Sequence, residues 1–127
     1  MALRKLGLGL VLALAAGPAM SIEVRENPSF DCRKAKHADE LAICRSNKLS
    51  HQDRTMARLF REIQACSAMG SRGANLDDQF LWIKRRARCG GNVACLGKLY
   101  DQRIAQFAPR ARIARDYLAR EECPGPV

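Results

Sequence analysis

The sequence predicts an all-α fold: a small disulfide-stapled bundle of two to three antiparallel helices with a short N-terminal helical lid. Apolar residues recur at spacings of three, four and seven along three long stretches, which is the period of an amphipathic helix. No stretch alternates in the manner of a strand or carries a hairpin turn signal. Six cysteines in a chain of 127 residues are typical of a small exported domain held by disulfides.

Residues 1–21 have the layout of a secretory signal peptide. Arg4 and Lys5 precede an apolar and glycine run over 6–16, and small residues follow it. The run is short for a membrane span, and an uncleaved anchor is the alternative interpretation. We therefore expect a periplasmic or secreted protein, with no membrane span after signal removal and a single domain over 22–127.

The first predicted element is the lid, in which Cys32 and Cys44 bracket the segment 33–43. A short helix is predicted from Ala38 to Arg45. Two acidic residues follow its first position, where carboxylates complement the positive end of the helix dipole.

A long helix is predicted from Leu49 to about Ala68, with Ser50 and Asp53 as its start signal. Residues 69–74 contain two glycines and are predicted to form a flexible turn that ends this helix. The apolar stripe of the helix comprises Leu49, Met56, Leu59, Phe60, Ile63 and Cys66.

Asn75 is the predicted cap of the next helix, which runs to about Arg88. Its predicted inner stripe comprises Leu76, Phe80, Ile83 and Ala87.

The last helix follows a tight, glycine-containing reversal over 89–95. We expect a kink or break near Ala108, because Pro109 inside a helix costs roughly 3 kcal/mol. A short continuation follows through Leu118. The predicted stripe of this helix comprises Leu96, Tyr100, Ile104 and Phe107.

The six cysteines allow fifteen pairings, and the sequence alone does not select one. Short loops favour one local pair within the lid and a second within the reversal, which leaves the remaining two cysteines for each other. No Cys-x-x-Cys occurs and both histidines are isolated, so we expect neither a zinc site nor any other cofactor. The predicted pairs are Cys32–Cys44, Cys89–Cys95 and Cys66–Cys123.

Twenty-two Lys and Arg against thirteen Asp and Glu give the chain a formal net charge of +9. Such a protein is attracted to anionic lipid, acidic polysaccharide or an acidic protein surface, although a basic surface can also serve only solubility. Nucleic acid fits the charge but not the predicted compartment. The sequence carries no phosphate loop, nucleophile elbow or zinc-protease motif. We interpret His37 and His51 as surface residues and predict that the protein is not an enzyme.

The candidate partner-binding residues surround the single tryptophan. Trp82 lies off the predicted apolar stripe and beside Arg85, Arg86 and Arg88, so it could anchor an interface. The alternative is that Trp82 packs beneath the lid as part of the core. The arginines could likewise serve only to complement the C-terminal end of the helix dipole.

Several short motifs together resemble the LprI-type lysozyme inhibitor domain. The resemblance covers about 28–107 and implies a disulfide-stapled helical domain that makes an inhibitory contact with lysozyme. In that pattern Cys66 and Cys123 would be an added bridge, and 108–127 a C-terminal extension. The motifs are Pro28-Ser29-Phe30-Asp31-Cys32, Glu40-x-x-Ile43-Cys44, Leu49 with Asp53, Gln79-x-x-Trp82, Arg88-Cys89, Ala94-Cys95-Leu96, Tyr100 and Arg103-Ile104.

Two functions follow as hypotheses. The first is an exported inhibitor that blocks a muramidase by steric protein–protein binding. The alternative is a basic cell-envelope module, either binding or structural, for anionic polymer or lipid. Strong salt dependence would distinguish the second from the first.

Overall fold

The structure, a computed structural model, describes residues 26–124. The predicted signal peptide over 1–21 lies outside the described residues. No strand occurs within 26–124, which confirms the all-α prediction. The elements are a short 3₁₀ turn (Cys32–Lys34), α1 (Ala38–Arg45), α2 (Asn47–Ala65), α3 (Met69–Ala87) and α4 (Val93–Ala119).

Helices α2 and α4 form the centre of the bundle and run parallel to each other. Gln52 Nε2 donates to the backbone oxygen of Gly97 near the start of both helices. Further along, the rings of Phe60 and Phe107 lie 5.9 Å apart between centroids. The core that these helices share with α1 and α3 comprises Ile43, Leu49, Met56, Leu59, Ile63, Trp82, Leu96, Tyr100, Phe107 and Ala111.

Helix α3 runs antiparallel to both α2 and α4, as predicted for consecutive helices. Near its start, Asn75 Nδ2 donates to Gln64 Oε1 at the end of α2 (2.9 Å). Near its end, Arg86 donates to the hydroxyl of Tyr100, in the first half of α4 (3.3 Å). The three long helices therefore form an up-down-up bundle.

Helix α1 has the predicted bounds and covers one end of the bundle. The carboxylate of Glu40 accepts hydrogen bonds from the backbone N–H groups of Lys36 (2.9 Å) and His37 (3.1 Å). These are donors that the helix itself leaves unsatisfied. Ile43, one turn further along α1, is fully buried.

All three predicted disulfides are present, and no cysteine within 26–124 is free. Cys32–Cys44 closes the lid, Cys89–Cys95 joins the end of α3 to the start of α4, and Cys66–Cys123 joins the ends of α2 and α4. By loop-closure entropy each is worth roughly 2–4 kcal/mol.

The start of α2 differs from the prediction. Its first turn is capped by Ser46, whose hydroxyl oxygen accepts from the backbone N–H of Leu49 (3.2 Å). Ser50, predicted as the start signal, is fully buried and donates to the backbone oxygen of Ile43 (2.8 Å). Asp53, the other half of that signal, is also buried. Both side chains connect elements instead of starting a helix.

The turn predicted over 69–74 is wrong, because these residues form the first part of α3. Asn75, predicted as the cap, lies inside the helix and bonds to α2 and α4. Its amide donates to Gln64, and its side-chain oxygen accepts from Arg110 (2.8 Å). These tertiary bonds and the continued helix offset two exposed glycines, each costing up to about 1 kcal/mol relative to alanine.

The predicted inner face of α3 is also wrong. Leu76 and Phe80 are 55 % and 58 % exposed, and Ile83 is 40 % exposed. The side chains of Trp82 and Arg86 are buried in their place. Specific partners of the inward residues, and not average hydrophobicity, orient this helix.

The break predicted near Ala108 is absent, since α4 continues through Pro109 from Val93 to Ala119. The residues that flank the proline on the inner side of α4, Phe107 and Ala111, are both buried in the core. Their burial holds the helix together where a backbone hydrogen bond is lost.

Candidate functional site

The four candidate partner-binding residues separate into two pairs. Arg85 and Arg88 are exposed, whereas Trp82 and Arg86 are only 3 % and 6 % exposed. Trp82 and Arg86 are therefore parts of the core and cannot anchor a partner directly. The interpretation of Trp82 as an exposed anchor is wrong, and the alternative placement in the core is correct.

Arg86 is held by a buried polar cluster formed from three other helices. Its Nε donates to Asp39 on α1 (2.9 Å), and its terminal nitrogen donates to the hydroxyl of Tyr100 on α4 (3.3 Å). Asp53 on α2 lies 3.9 Å from the same guanidinium. Burial alone would lower the pKa of Arg86, but Tyr100 and the Asp39 carboxylate more than offset it and raise that pKa. The guanidinium therefore stays charged and attaches α3 to the other helices.

Tyr100 and Asp53 complete this cluster. The Tyr100 hydroxyl donates to one carboxylate oxygen of Asp53 (2.7 Å), and the other oxygen accepts from the backbone N–H of Ser29 (2.6 Å). Burial raises the pKa of Tyr100, and the adjacent Asp53 carboxylate raises it further. Both oxygens of Asp53 are engaged in structural hydrogen bonds, so the cluster joins the N-terminal segment to the bundle.

Trp82 packs edge-on against Tyr100, with ring centroids 5.2 Å apart. The guanidinium of Arg103 lies 5.8 Å from the Trp82 ring. Arg103 itself donates to Asp78 (2.6 Å) and to Gln79 (2.9 Å) on α3. Trp82 thus fills the space between α3 and α4 beneath a polar bridge.

Arg85 and Arg88, the two exposed candidates, line one groove with Lys98 on α4. The groove has a volume of about 420 Å³, and Leu99 and the Cys89–Cys95 disulfide also line it. No acidic residue lines it. Among the residues that the structure describes, none forms an ion pair with any of these three cations. We call this the cationic groove.

The disulfide gives the cationic groove a fixed shape. It joins Cys89, directly after Arg88, to Cys95, three residues before Lys98. Asn92 caps α4 between them by accepting from the backbone N–H of Cys95 (2.9 Å). Three positive charges are therefore held close together in a region where each raises the local potential.

The sequence analysis missed Lys98. A signal for it existed, because a bond between Cys89 and Cys95 necessarily brings the first turn of α4 to the end of α3. Once that pairing was predicted, a cation in the first turns of α4 could have been included among the candidate binding residues with the two arginines.

Of the other cavities, two are at least as large as the cationic groove. The larger, of about 690 Å³, lies near Cys66 and Tyr117. Its cation, Arg110, is already bound to Asn75. The other, of about 430 Å³, lies between Phe30 and Phe60, and its polar wall is the Asp53 and Arg86 cluster. Neither carries a charge arrangement comparable to that of the cationic groove.

Residues 26–124 contain no group of His, Cys, Asp and Glu side chains with the arrangement of a metal site. His37 and His51 are both exposed, as expected. His51 contacts the carboxylate of Glu26 (3.0 Å). No helix in this range is long and apolar enough to cross a bilayer.

Comparison with known proteins returned no match: no family model, no curated protein and no solved structure is significantly similar to this chain.

Proposed function

We propose that this protein is an exported, non-catalytic inhibitor that blocks a muramidase by binding across its active-site cleft. The observation that carries the proposal is the rigid cationic groove of Arg85, Arg88 and Lys98, whose charges have no acidic partner within the described residues. The motif resemblance to the LprI-type lysozyme inhibitor domain points in the same direction. Three disulfides are typical of oxidising compartments outside the cytosol, where such targets act.

The chemistry of the target favours this contact. Glycoside hydrolases of this kind place a pair of carboxyl groups on either side of the bond they cleave. A positive surface presented to that cleft gains Coulomb attraction at close range and excludes the saccharide sterically. Because the disulfide preorganises the end of α3 against the start of α4, little backbone entropy is lost on binding, and the entropic cost falls mainly on the three cationic side chains.

Net charge narrows the range of targets. The chain carries a formal charge of +9, so it repels a strongly basic muramidase at long range and associates with it slowly. We therefore expect the tightest inhibition for a target with an acidic or near-neutral surface around its cleft.

The test is an inhibition titration of the oxidised protein against a panel of basic and acidic muramidases. The double variant Arg85→Glu/Arg88→Glu should lose at least tenfold in inhibition, since two cationic contacts become repulsive. The control variant Lys48→Glu/Arg112→Glu makes the same change in charge at exposed positions outside the groove. It should inhibit as well as the wild type. Absence of stoichiometric inhibition across the panel, or equal losses in both variants, would refute the proposal.

A second candidate function rests on the same absence of acidic partners in the groove. An acidic polysaccharide or phospholipid surface would also be attracted to three unpaired cations. Such binding would be weakly selective and would fall sharply with about 0.3 M added salt, where the Debye length is well below 10 Å. A muramidase complex of defined stoichiometry that persists at this salt concentration favours inhibition.

A further inference from the structure

Helix α3 carries an apolar stripe on its solvent side. Met69, Leu76, Phe80 and Ile83 recur at helical spacing and are all exposed, the first three by more than half. Ala87 continues the stripe by one further turn. We call these five residues the α3 stripe. At 1.5 Å per residue it extends for about 27 Å, which is long for an uncovered apolar surface on a small domain.

The α3 stripe cannot become buried through a rotation of α3 about its own axis. Arg86 is bound to the buried carboxylate of Asp39, and Arg103 of α4 is bound to Asp78 and Gln79. Rotation would break these bonds and leave buried charges without partners, which is strongly destabilising. The α3 stripe is thus a permanent part of the surface.

The apolar surface extends sideways from the stripe onto the rest of the molecule. Ile83 lines the groove that also contains Phe30, Phe60 and Met56. A second helix lying along α3 would contact the stripe and reach the edge of this groove. Two copies of the chain could therefore bury more apolar surface than the two stripes alone.

The charges that flank the stripe determine what fits it. Asp77 and Lys84 are seven residues apart, so both lie on the same flank of α3, two turns from each other. Within the described residues Asp77 forms no ion pair. The ammonium of Lys84 lies over the ring of Phe80, 4.4 Å from its centroid.

We propose that α3 pairs antiparallel with α3 of a second copy to form a twofold-symmetric dimer. In that arrangement Asp77 of each copy faces Lys84 of the other, so the symmetry generates two attractive pairs from one flank. Phe80 then packs beside Ile83 of the second copy. A parallel twofold pairing would instead place this flank against the opposite flank of the second copy, so Asp77 and Lys84 would not meet.

This self-complementarity is why a second copy fits better than a partner of one charge sign. Asp77 and Lys84 lie two turns apart on this flank and are complementary to each other under the twofold rotation. The exposed Arg88, one turn beyond Lys84, lies level with Gly73 of the second copy and meets no cation there. Arg85 and Arg88 belong to the cationic groove between α3 and α4 and not to the α3 stripe.

The test is sedimentation equilibrium of the oxidised protein from micromolar to several hundred micromolar. We expect a reversible dimer that tightens with moderate salt, because two positively charged copies repel at long range. Phe80→Asp should be monomeric throughout. It should keep the helical circular dichroism of the wild type, since Phe80 is exposed. A monomeric wild type, or a dimeric Phe80→Asp, would overturn the proposal.

The antiparallel register has its own test. Asp77→Lys and Lys84→Asp should each weaken self-association by roughly 10- to 30-fold, since two attractive pairs become repulsive. An equimolar mixture should form a heterodimer, in which both flanks again carry opposite charges. Asp116→Lys alters an exposed residue on α4 and should dimerise like the wild type. Failure of the mixture to associate would overturn the antiparallel pairing.

Discussion

The α2–α4 pair and helix α3 are attached to the molecule by different means. Helices α2 and α4 meet through buried apolar side chains such as Leu59 and Phe107, and a disulfide joins their ends. Helix α3 contributes a single large apolar residue to the core, Trp82, and is otherwise attached by polar bonds of Arg86, Asn75 and Arg103 and by the disulfide at its end.

This difference shows how an amphipathic helix can lie with its apolar face outward. Leu76, Phe80 and Ile83 are already about half covered, so their transfer into the core would gain roughly 2–5 kcal/mol in total. The same rotation would expose Trp82. Leaving Asp39 buried without Arg86 would cost several kcal/mol and remove the hydrogen bonds of both groups. The polar contacts are therefore strong enough to decide the orientation, and the apolar face stays available for a partner.

The largest effect we expect is a contrast between two phenylalanines. Phe107→Ala should destabilise the protein by about 3–5 kcal/mol, because it leaves a cavity between α2 and α4. Phe80→Ala should change stability by no more than about 0.5 kcal/mol, since its side chain is exposed. Urea unfolding at low protein concentration measures both. Equal losses would mean that α3 is packed as tightly as the α2–α4 pair.

Arg86→Ala should lower the free energy of unfolding by about 3–5 kcal/mol. The reason is that Asp39 loses its buried cationic partner and Asp53 loses a nearby positive charge. Arg85→Ala, one residue away but exposed, is the matched control and should stay within about 0.5 kcal/mol of the wild type. Chemical unfolding of the two variants decides the matter. If both cost the same, the buried ion pair is not what attaches α3.

A smaller, pH-dependent effect concerns the lid. Backbone hydrogen bonds from Lys36 and then His37 hold the pKa of Glu40 below its ordinary value of 4.5. A carboxyl group with a lowered folded-state pKa stabilises the protein above its unfolded-state pKa. That contribution disappears as the pH falls through the folded-state value. Glu40→Ala should therefore cost about 1 kcal/mol at pH 7 and clearly less near pH 2, where only the weaker hydrogen bonds to the neutral carboxyl group are lost.

Unfolding free energies measured at both pH values test this effect. Glu40→Gln keeps an acceptor oxygen for the same backbone donors, so it should retain more stability at neutral pH while losing the pH dependence. A Glu40→Ala deficit that is equally large in acid would contradict the assignment of Glu40 as a charged cap.

The smallest expected effect is a gain. Gly73 lies inside α3 with open space around the position of an added Cβ, so Gly73→Ala should stabilise the protein by about 0.5–1 kcal/mol. Gly90→Ala should instead destabilise it by about 1 kcal/mol, because Gly90 has a φ of +52°. A loss at position 73, measured by thermal unfolding, would indicate that 69–74 is a turn.

Local features of the fold were predictable from the sequence. The bounds of α1 followed from its acidic first turn, and the cysteine spacing gave the two short disulfide loops. The stripe of α2 was also correct, since Leu49, Met56, Leu59 and Ile63 are all buried. In each case the determining interactions lie within a few turns of the same segment.

The orientation of α3 could not be predicted in that way. Periodicity correctly identified the apolar stripe that contains Phe80, but periodicity alone does not show which side of a helix faces the core. Arg86 faces inward because Asp39, 47 residues away, accepts its hydrogen bond. For the same reason the sequence misplaced two of the four candidate partner-binding residues, since Trp82 and Arg86 are buried when α3 has this orientation.

The Cys66–Cys123 bond has a topological consequence. Together with the chain between its two ends it closes a covalent ring that contains α3, α4 and the reversal between them. A protease that cuts once within this ring opens the backbone but releases no fragment. Helix α3, attached largely by side chains and exposed along most of its surface, could therefore be nicked while the molecule keeps its full mass until the disulfide is reduced.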